Sequence, residues 1–241
     1  MPHFFISSNN GNNDKITICD RENYNHIARS LRIRKGENLL LIDENKMQYK
    51  TLVEEITKEV ITAKIVSKEE SKRLLPFNLY LAQSPLRSDA QNFVIEKATE
   101  LGVKGVYPIY TDNCALKKDL IDKKIDKWQK IMYEASKQCE RADIPKCFER
   151  TTLCNIAKDF DKVIVFCERI ATKTLRQVHD IKNNENILVV IGPEGGFSEQ
   201  EFLYFKENNF EMLTLGDLIL KAETAVTVGL GNIIYEFTTR N

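Results

Sequence analysis

Two hydrophobic rhythms divide the chain. As far as about residue 75, short apolar stretches recur between turn-formers: HFFIS, KITIC, NLLLID, YKTLVEEI and VITAKIVS, separated by segments such as NNGNND and DENK. Runs of this kind predict β-strands of a small barrel or curled sheet. One segment departs from the pattern: NYNHIARSLRIRKG, residues 23–36, predicts a short helix closing at Gly36. SKEESKRLLP, residues 67–76, is charged and stops at a proline, which predicts a linker.

Beyond it, strands and helices alternate. FNLYLAQ predicts a strand, SDAQNFVIEKATELG a helix and GVYPIY a strand. Ile121, Ile125, Trp128, Met132, Ala135 and Cys139 then recur at helical spacing with lysines opposite, the strongest helical stripe in the chain. KVIVFCE, NILVVIG and MLTLG predict strands, separated by a polar helix and by a helix over SEQEFLYFKENN. ETAVTVGLGNIIYEF predicts the last helix. Apolar strands separated by helices predict an α/β domain whose parallel sheet is covered on both faces. The expected organisation is a β-rich domain over 1–72 and an α/β domain over 73–241.

Composition adds limits. Lys plus Arg is 35 and Asp plus Glu is 35, so a uniformly basic surface is excluded while a local basic patch is not. MPHFFISSNN lacks the charged and apolar regions of a secretory signal, and no apolar run approaches the ~20 residues of a membrane helix. The six cysteines (19, 114, 139, 147, 154, 167) form no C-x-x-C pair and no cluster with histidine. Free thiols in the cytoplasm are expected, with no disulfide framework and no metal site.

The candidate chemistry lies in two glycine turns. LVVIGPEGGFSEQEF, residues 188–202, runs from a buried strand into a turn, and Ser198 with Glu201 forms a capping box that predicts a helix start. LTLGDLILKAETAVTVGL, residues 213–230, again follows a strand, turns at Gly216 and enters a helix. The P-loop requires Gly-Lys-Ser/Thr where this chain has Phe197-Ser198. The spacing of Gly192, Gly195 and Gly196 is not that of the dinucleotide fingerprint.

Together the two turns resemble the SPOUT class of RNA methyltransferases, and within it the family that methylates N3 of a uridine in 16S ribosomal RNA. IGPEGGFSEQE matches the family's first motif in full; LGDLILKAETA resembles its second. Lys97 with ELGV, EASKQCER (134–141) and HIARSLRIRKGE (26–37) extend the resemblance over essentially the whole chain. The sequence departs from the family where arginine is usual, at Asn113, Leu218 and Lys221. Lysine keeps the charge at 221 but not the planar fork.

The resemblance implies a SPOUT-type parallel sheet with a C-terminal trefoil knot, preceded by a PUA-like β-barrel that docks RNA. It also implies S-adenosylmethionine as cofactor, a homodimer, and 16S rRNA in the small ribosomal subunit as partner. Backbone in glycine turns can approach an adenine edge without side chains in the way. The cofactor residues expected on these grounds are Phe166, Glu168, Ile191, Gly192, Pro193, Glu194, Gly195, Gly196, Leu215 and Gly216, with Leu220 and Ala225 as apolar walls.

The uracil N3 proton must leave as the methyl arrives, which calls for a base and for donors to the developing oxyanion. Glu194 and Glu223 are the candidate bases; Lys221, Arg141, Gln138 and Lys97 are the candidate donors to oxyanion or phosphate. His3, His26 and His179 lie outside the glycine motifs. Arg29, Arg32 and Arg34, joined by Lys35 and the aromatic Tyr24 and His26, form the candidate RNA patch. Two alternatives stay open: a non-catalytic RNA-binding or ribosome-assembly protein on the same scaffold, and a SPOUT enzyme for a different nucleotide.

Overall fold

The computed structural model describes residues 3–7, 11–12, 14–71, 74–168, 170–178 and 181–238. The expected boundary at 72/73 and His179 lie outside the described residues. The chain forms two compact units, one of Met1–Leu74 with Lys137–Asp143 and one of Leu75–Ser136 with Ile144–Asn241.

In the first unit, β1 (His3–Ile6), β2 (Gly11–Asn12), β3 (Lys15–Ile18), β4 (Asn38–Asp43), β5 (Met47–Ile56) and β6 (Ile61–Glu70) form a curled sheet. The strand order is β1-β4-β5-β6-β3-β2. Among the described residues only β1 and β4 pair in parallel; the other pairs are antiparallel, with irregularities at Lys50/Thr51 and Val53/Glu55 that bend the long β5–β6 hairpin. Alternation sends Ile16, Ile18, Leu39, Leu41, Val53 and Ile61 into one apolar core. Strand β6 continues to Glu70, so the charged SKEE stretch is ladder rather than linker. An edge-facing run of charges is compatible with a strand when its backbone is paired, as it is here with β5.

The helix expected over 23–36 is shifted. It begins as α1 (Arg21–Tyr24), capped by Asp20 Oδ1, which accepts from Asn23 N at 2.8 Å, and continues as a π-helical stretch over Asn25–Ser30. The wide turns bury Ile27, and the chain leaves through Arg32 at φ 53°, with Ile33 N donating to Ile27 O at 3.2 Å. Gly36 belongs to a later turn and donates to Val53 O at 2.8 Å.

The second unit holds β7 (Asn78–Gln83), β8 (Gly105–Pro108), β9 (Lys146–Cys147), β10 (Lys162–Phe166), β11 (Asn186–Ile191) and β12 (Glu211–Leu213). The order β12-β10-β11-β7-β8-β9 is parallel throughout. Side-chain alternation divides the sheet residues between two apolar clusters. Leu79, Leu81, Ile164, Phe166, Ile187, Val189 and Ile191 join one with α2 (Ser88–Glu100), α4 (Ile125–Gln138) and α7 (Ala222–Thr238). Tyr80, Ala82, Val163, Val165, Leu188 and Val190 join the other with α5 (Leu153–Ile156) and α6 (Glu199–Glu207).

Three expectations need correction here. The helical stripe breaks at Lys123–Lys124 into α3 (Lys118–Asp122) and α4, and Cys139 lies beyond the end of α4. The break leaves Ile121, Trp128 and Met132 buried together while Asp122 takes both arms of Arg150 at 3.0 and 3.1 Å. No polar helix joins β10 to β11 among the described residues, where a single 3-10 turn, Leu175–Gln177, stands instead. The chain at Lys173 runs extended beside β12, pairing with Leu213 and accepting from Thr214 N at 2.9 Å, so its backbone bonds are spent on the sheet. Finally, MLTLG is strand only as far as Leu213.

All six cysteines are free. Burial pushes the Cys147 and Cys167 thiols from 9.0 up to about 12. A raised folded value means that the stability from keeping them neutral is complete below pH 9 and is lost as pH rises towards about 12. At pH 8, iodoacetamide is expected to label exposed Cys19 and Cys154 and to spare Cys147 and Cys167 until the protein unfolds. Labelling of all six at equal rates, read by mass spectrometry, would contradict this burial.

Candidate functional site

The site is set by strand register. Phe166, the last residue of β10, pairs with Ile191 of β11 on one side and with Leu213 of β12 on the other. Three neighbouring parallel strands therefore end at one level, and a glycine turn leaves each strand flanking β10. Carboxyl ends of parallel strands are where open α/β sheets bind ligands. Phe166, Ile191 and Ala225 are buried in one cluster, and Leu215 and Leu220 pack against it half-buried. Five of the residues expected to touch cofactor thus belong to one apolar cluster. Glu168 follows β10; its Oε1 is buried and has no hydrogen-bond partner.

The first turn is built by its own sequence. Gly192 and Pro193 are buried and Glu194 is exposed, and Gly196 N donates to Pro193 O at 2.9 Å. Gly196 holds φ 72°, a left-handed value that glycine adopts without penalty, and nothing lies within 4 Å of where a Cβ would stand. Ser198 Oγ accepts from Glu201 N at 3.2 Å while Glu201 Oε2 accepts from Ser198 N at 2.8 Å, the reciprocal capping box that starts α6. Glu201 is half-buried, and this burial pushes its carboxyl above the usual range against the pull of its backbone donors. In the second turn Gly216 takes φ 132°, again beside open space, and Thr214 Oγ1 accepts from Gly216 N at 3.1 Å and donates to Gly216 O at 2.8 Å.

Gly195 differs from the other two. A Cβ there would meet Asn113 Cβ at 3.1 Å, so its small size serves the approach of a neighbouring loop. Asn113 and Asp112 are the residues that sequence reasoning missed as partners of the turn. The capping box pointed to Glu201, but nothing local joins Asn113 to residues more than eighty positions away.

The catalytic and RNA candidates fall in different places. Lys221 is exposed just before α7, and its carbonyl accepts from Ala225 N at 2.8 Å; Glu223, in the first turn of α7, is half-buried. Lys97 is engaged by Glu96 Oε1 at 2.7 Å and Glu100 Oε1 at 2.8 Å on the outer face of α2. Arg141 belongs to the first unit; it is 6 % exposed and pairs with Asp143 through Nε at 2.9 Å and Nη2 at 2.8 Å. Gln138, in the same segment, is exposed. Arg29, Arg32, Arg34 and Lys35 are all exposed, and Lys137 Nζ lies 3.5 Å from His26 Nδ1. The two aromatic residues of that patch are committed elsewhere: Tyr24 donates its hydroxyl to Thr57 O at 2.7 Å, and His26 meets the Phe4 ring edge-on at 5.3 Å.

Among the described residues no group of three or more His, Cys, Asp or Glu side chains could hold a metal ion, and no helix is long and apolar enough to cross a membrane.

Residues 73–234 match the RNA methyltransferase domain family, and residues 13–66 match the RNA methyltransferase PUA domain family. The ribosomal RNA small subunit methyltransferase E of Mesomycoplasma hyopneumoniae is 31 % identical over 93 % of this chain and 95 % of its own. The structure of the Neisseria gonorrhoeae protein of the same name, bound to S-adenosyl methionine, superposes with a TM-score of 0.85 at 25 % identity, covering 97 % of this chain and 96 % of that one. A Legionella pneumophila putative methyltransferase in complex with the same cofactor gives 0.84 at 26 % identity over 97 % and 96 % of the two chains. With one family covering most of its length and a relative of this identity along nearly all of it, the chain belongs to the RNA methyltransferase family.

Proposed function

We propose that this chain transfers a methyl group from S-adenosylmethionine to N3 of a uridine in the 16S rRNA of the small ribosomal subunit. The observation that carries the reading is the common level at which β10, β11 and β12 end, with a glycine turn on both strands beside β10. The names of the relatives support the substrate, and the solved complexes support the cofactor.

The residues fit that cofactor. Open space beside the backbone of Gly196 and Gly216 admits an adenine edge. Phe166, Ile191, Leu215, Leu220 and Ala225 supply apolar walls, and the unpartnered Glu168 Oε1 is an acceptor suited to a hydroxyl or an ammonium group. Gly192, Pro193, Glu194 and Gly195 complete the turn. When bound, S-adenosylmethionine supplies a methyl carried on positively charged sulfur. The protein's part is to hold the uracil ring in line, to take its N3 proton and to answer charge on the flanking carbonyl oxygens. Glu223 is the base in this reading, Lys221 the donor, and Glu194 an exposed carboxylate at the mouth of the turn.

Residues 1–72 act as the RNA-docking domain and 73–241 as the methyltransferase domain, whose C-terminal segment forms the trefoil knot of its class. The protein works in the cytoplasm as a homodimer. The exposed Tyr235 on α7, beside open space at Gly231, supports a second copy there, a state that light scattering reads directly.

Arg29, Arg32 and Arg34 contact phosphates, with Gln138 and Lys97 as lesser candidates. A triple Arg29/Arg32/Arg34 alanine variant is expected to lower the slope of log affinity against log salt by about two units on rRNA fragments, at unchanged cofactor affinity. An unchanged slope would remove this segment from the RNA interface. The function itself is tested by mass-spectrometric mapping of rRNA in cells with and without the gene. Loss of one N3-methyluridine is expected; an unaltered map would refute the reading.

A further inference from the structure

Beside the first glycine turn lies a loop, Thr111–Cys114, that follows β8 and has no role in the chemistry above. Three anchors tie it to the site. Thr111 is 5 % exposed, its Oγ1 lies 2.6 Å from Ser84 Oγ, and Ser84 N donates to Ile191 O at 3.1 Å, at the exit of β11. Asp112 accepts from Ser198 Oγ and its backbone N donates to Glu201 Oε1 at 3.3 Å, so it grips both members of the capping box. Asn113 Nδ2 donates to Gly196 O at 3.1 Å and, at the longer distance of 3.5 Å, to Gly195 O.

The packing agrees with the hydrogen bonds. Because a Cβ at Gly195 would come within 3.1 Å of Asn113 Cβ, glycine at 195 is what lets the loop close on the turn. Peptide planarity makes the consequence directional. With the Gly196 carbonyl drawn towards Asn113, the N–H of Phe197 across the same trans peptide is turned to the opposite side.

We infer that Asn113 is a positioning residue, a clamp that fixes the peptide planes of the Gly195–Phe197 turn and so presets the backbone that meets S-adenosylmethionine. The inference rests on the cofactor reading given above. It also gives a use to a position where the family resemblance leads one to expect arginine: the short amide reaches two carbonyls that lie directly against it.

Two neutral hydrogen bonds at an exposed position set the size of the effect. Losing them is expected to weaken cofactor binding about five- to tenfold. Asn113→Asp is nearly isosteric and keeps the packing on Gly195, but turns an acceptor towards the two carbonyls; Asn113→Ala removes the clamp outright. The full chain, free of cofactor, is titrated with S-adenosylmethionine by calorimetry for wild type and both variants. Melting temperature and steady-state kinetics on small subunits accompany the titration.

The expected result is tight binding by wild type and a five- to tenfold higher Kd for both variants. KM for the cofactor should rise in parallel, with kcat at saturation within about twofold and little change in Tm. Wild type that does not bind would overturn the cofactor reading and this inference with it. Wild type that binds, with folded variants that bind equally well, would overturn the clamp alone. A variant whose kcat and Tm fall together at unchanged Kd would also overturn it, since that is general damage. If Asn113→Asp does not fold, Asn113→Ala decides by the same criteria.

Discussion

Glu223→Gln is expected to lower kcat for methyl transfer at least a hundredfold while leaving the Kd for S-adenosylmethionine within about twofold of wild type. The amide keeps the shape of the side chain in the first turn of α7 and removes its capacity to take a proton. General-base catalysis contributes roughly 10²–10⁴-fold, and the loss falls on kcat because the proton moves only in the transition state. A helix N-terminus favours an acid for electrostatic reasons alone, worth about 0.3–1 kcal/mol, which would appear in stability and not in turnover. Rapid-quench kinetics with saturating cofactor and small subunits separate the two. Wild-type kcat in Glu223→Gln would make the residue a helix-terminal acid and leave Glu194 as the base.

Gly229→Val is expected to destabilise the protein by about 2 kcal/mol and to weaken cofactor binding together with it. Helix propensity argues the other way, since glycine inside a helix costs about 1 kcal/mol relative to alanine. Local geometry decides. A Cβ on Gly229 would stand 2.7 Å from Phe166 Cε2 and 3.0 Å from Cδ2. Phe166 is 3 % exposed and held between Ile191 and Leu213 in the sheet, so its ring cannot swing clear. Overpacking of that kind costs roughly 1–3 kcal/mol, and the displaced ring belongs to the apolar wall of the proposed cofactor site. Denaturant unfolding gives the stability change and calorimetry the affinity. A Gly229→Val variant as stable as wild type would mean that α7 and β10 have room to separate.

Much of the fold was legible because burial writes itself into local periodicity. The uninterrupted ILVVI of β11 and VIVF of β10 read as buried parallel strands, and they are neighbours in the sheet. Ser198 and Glu201 announced a helix start through a capping rule that operates within four residues. Where the outcome was set by partners distant in sequence, local reading failed. The segment around Lys173 is polar enough to suggest a helix, yet its backbone is claimed by β12, a strand formed some forty residues later. The stripe from Ile121 to Cys139 has helical spacing throughout, but Arg150 fixes Asp122 and the helix restarts after it.

The candidate site divides on the same principle. The glycine turns and their apolar flanks could be named because each lies next to its strand. The surroundings of single charges could not. Lys97, a candidate donor, sits between two glutamates, and Arg141, a candidate donor to oxyanion or phosphate, is buried against Asp143. Asn113 read only as a missing arginine, because its partners come from the far side of three strands in the sequence.

Methyl transfer to uracil N3 at the glycine turns can be reconstituted from purified parts. Purified protein is incubated with small ribosomal subunits from cells lacking the gene and with S-adenosylmethionine carrying a deuterated methyl group, and the 16S rRNA is digested to nucleosides for mass spectrometry. One labelled N3-methyluridine per subunit is expected with wild type, and almost none with Glu223→Gln. Label on any other nucleoside, or none in a preparation shown by calorimetry to bind the cofactor, would contradict it.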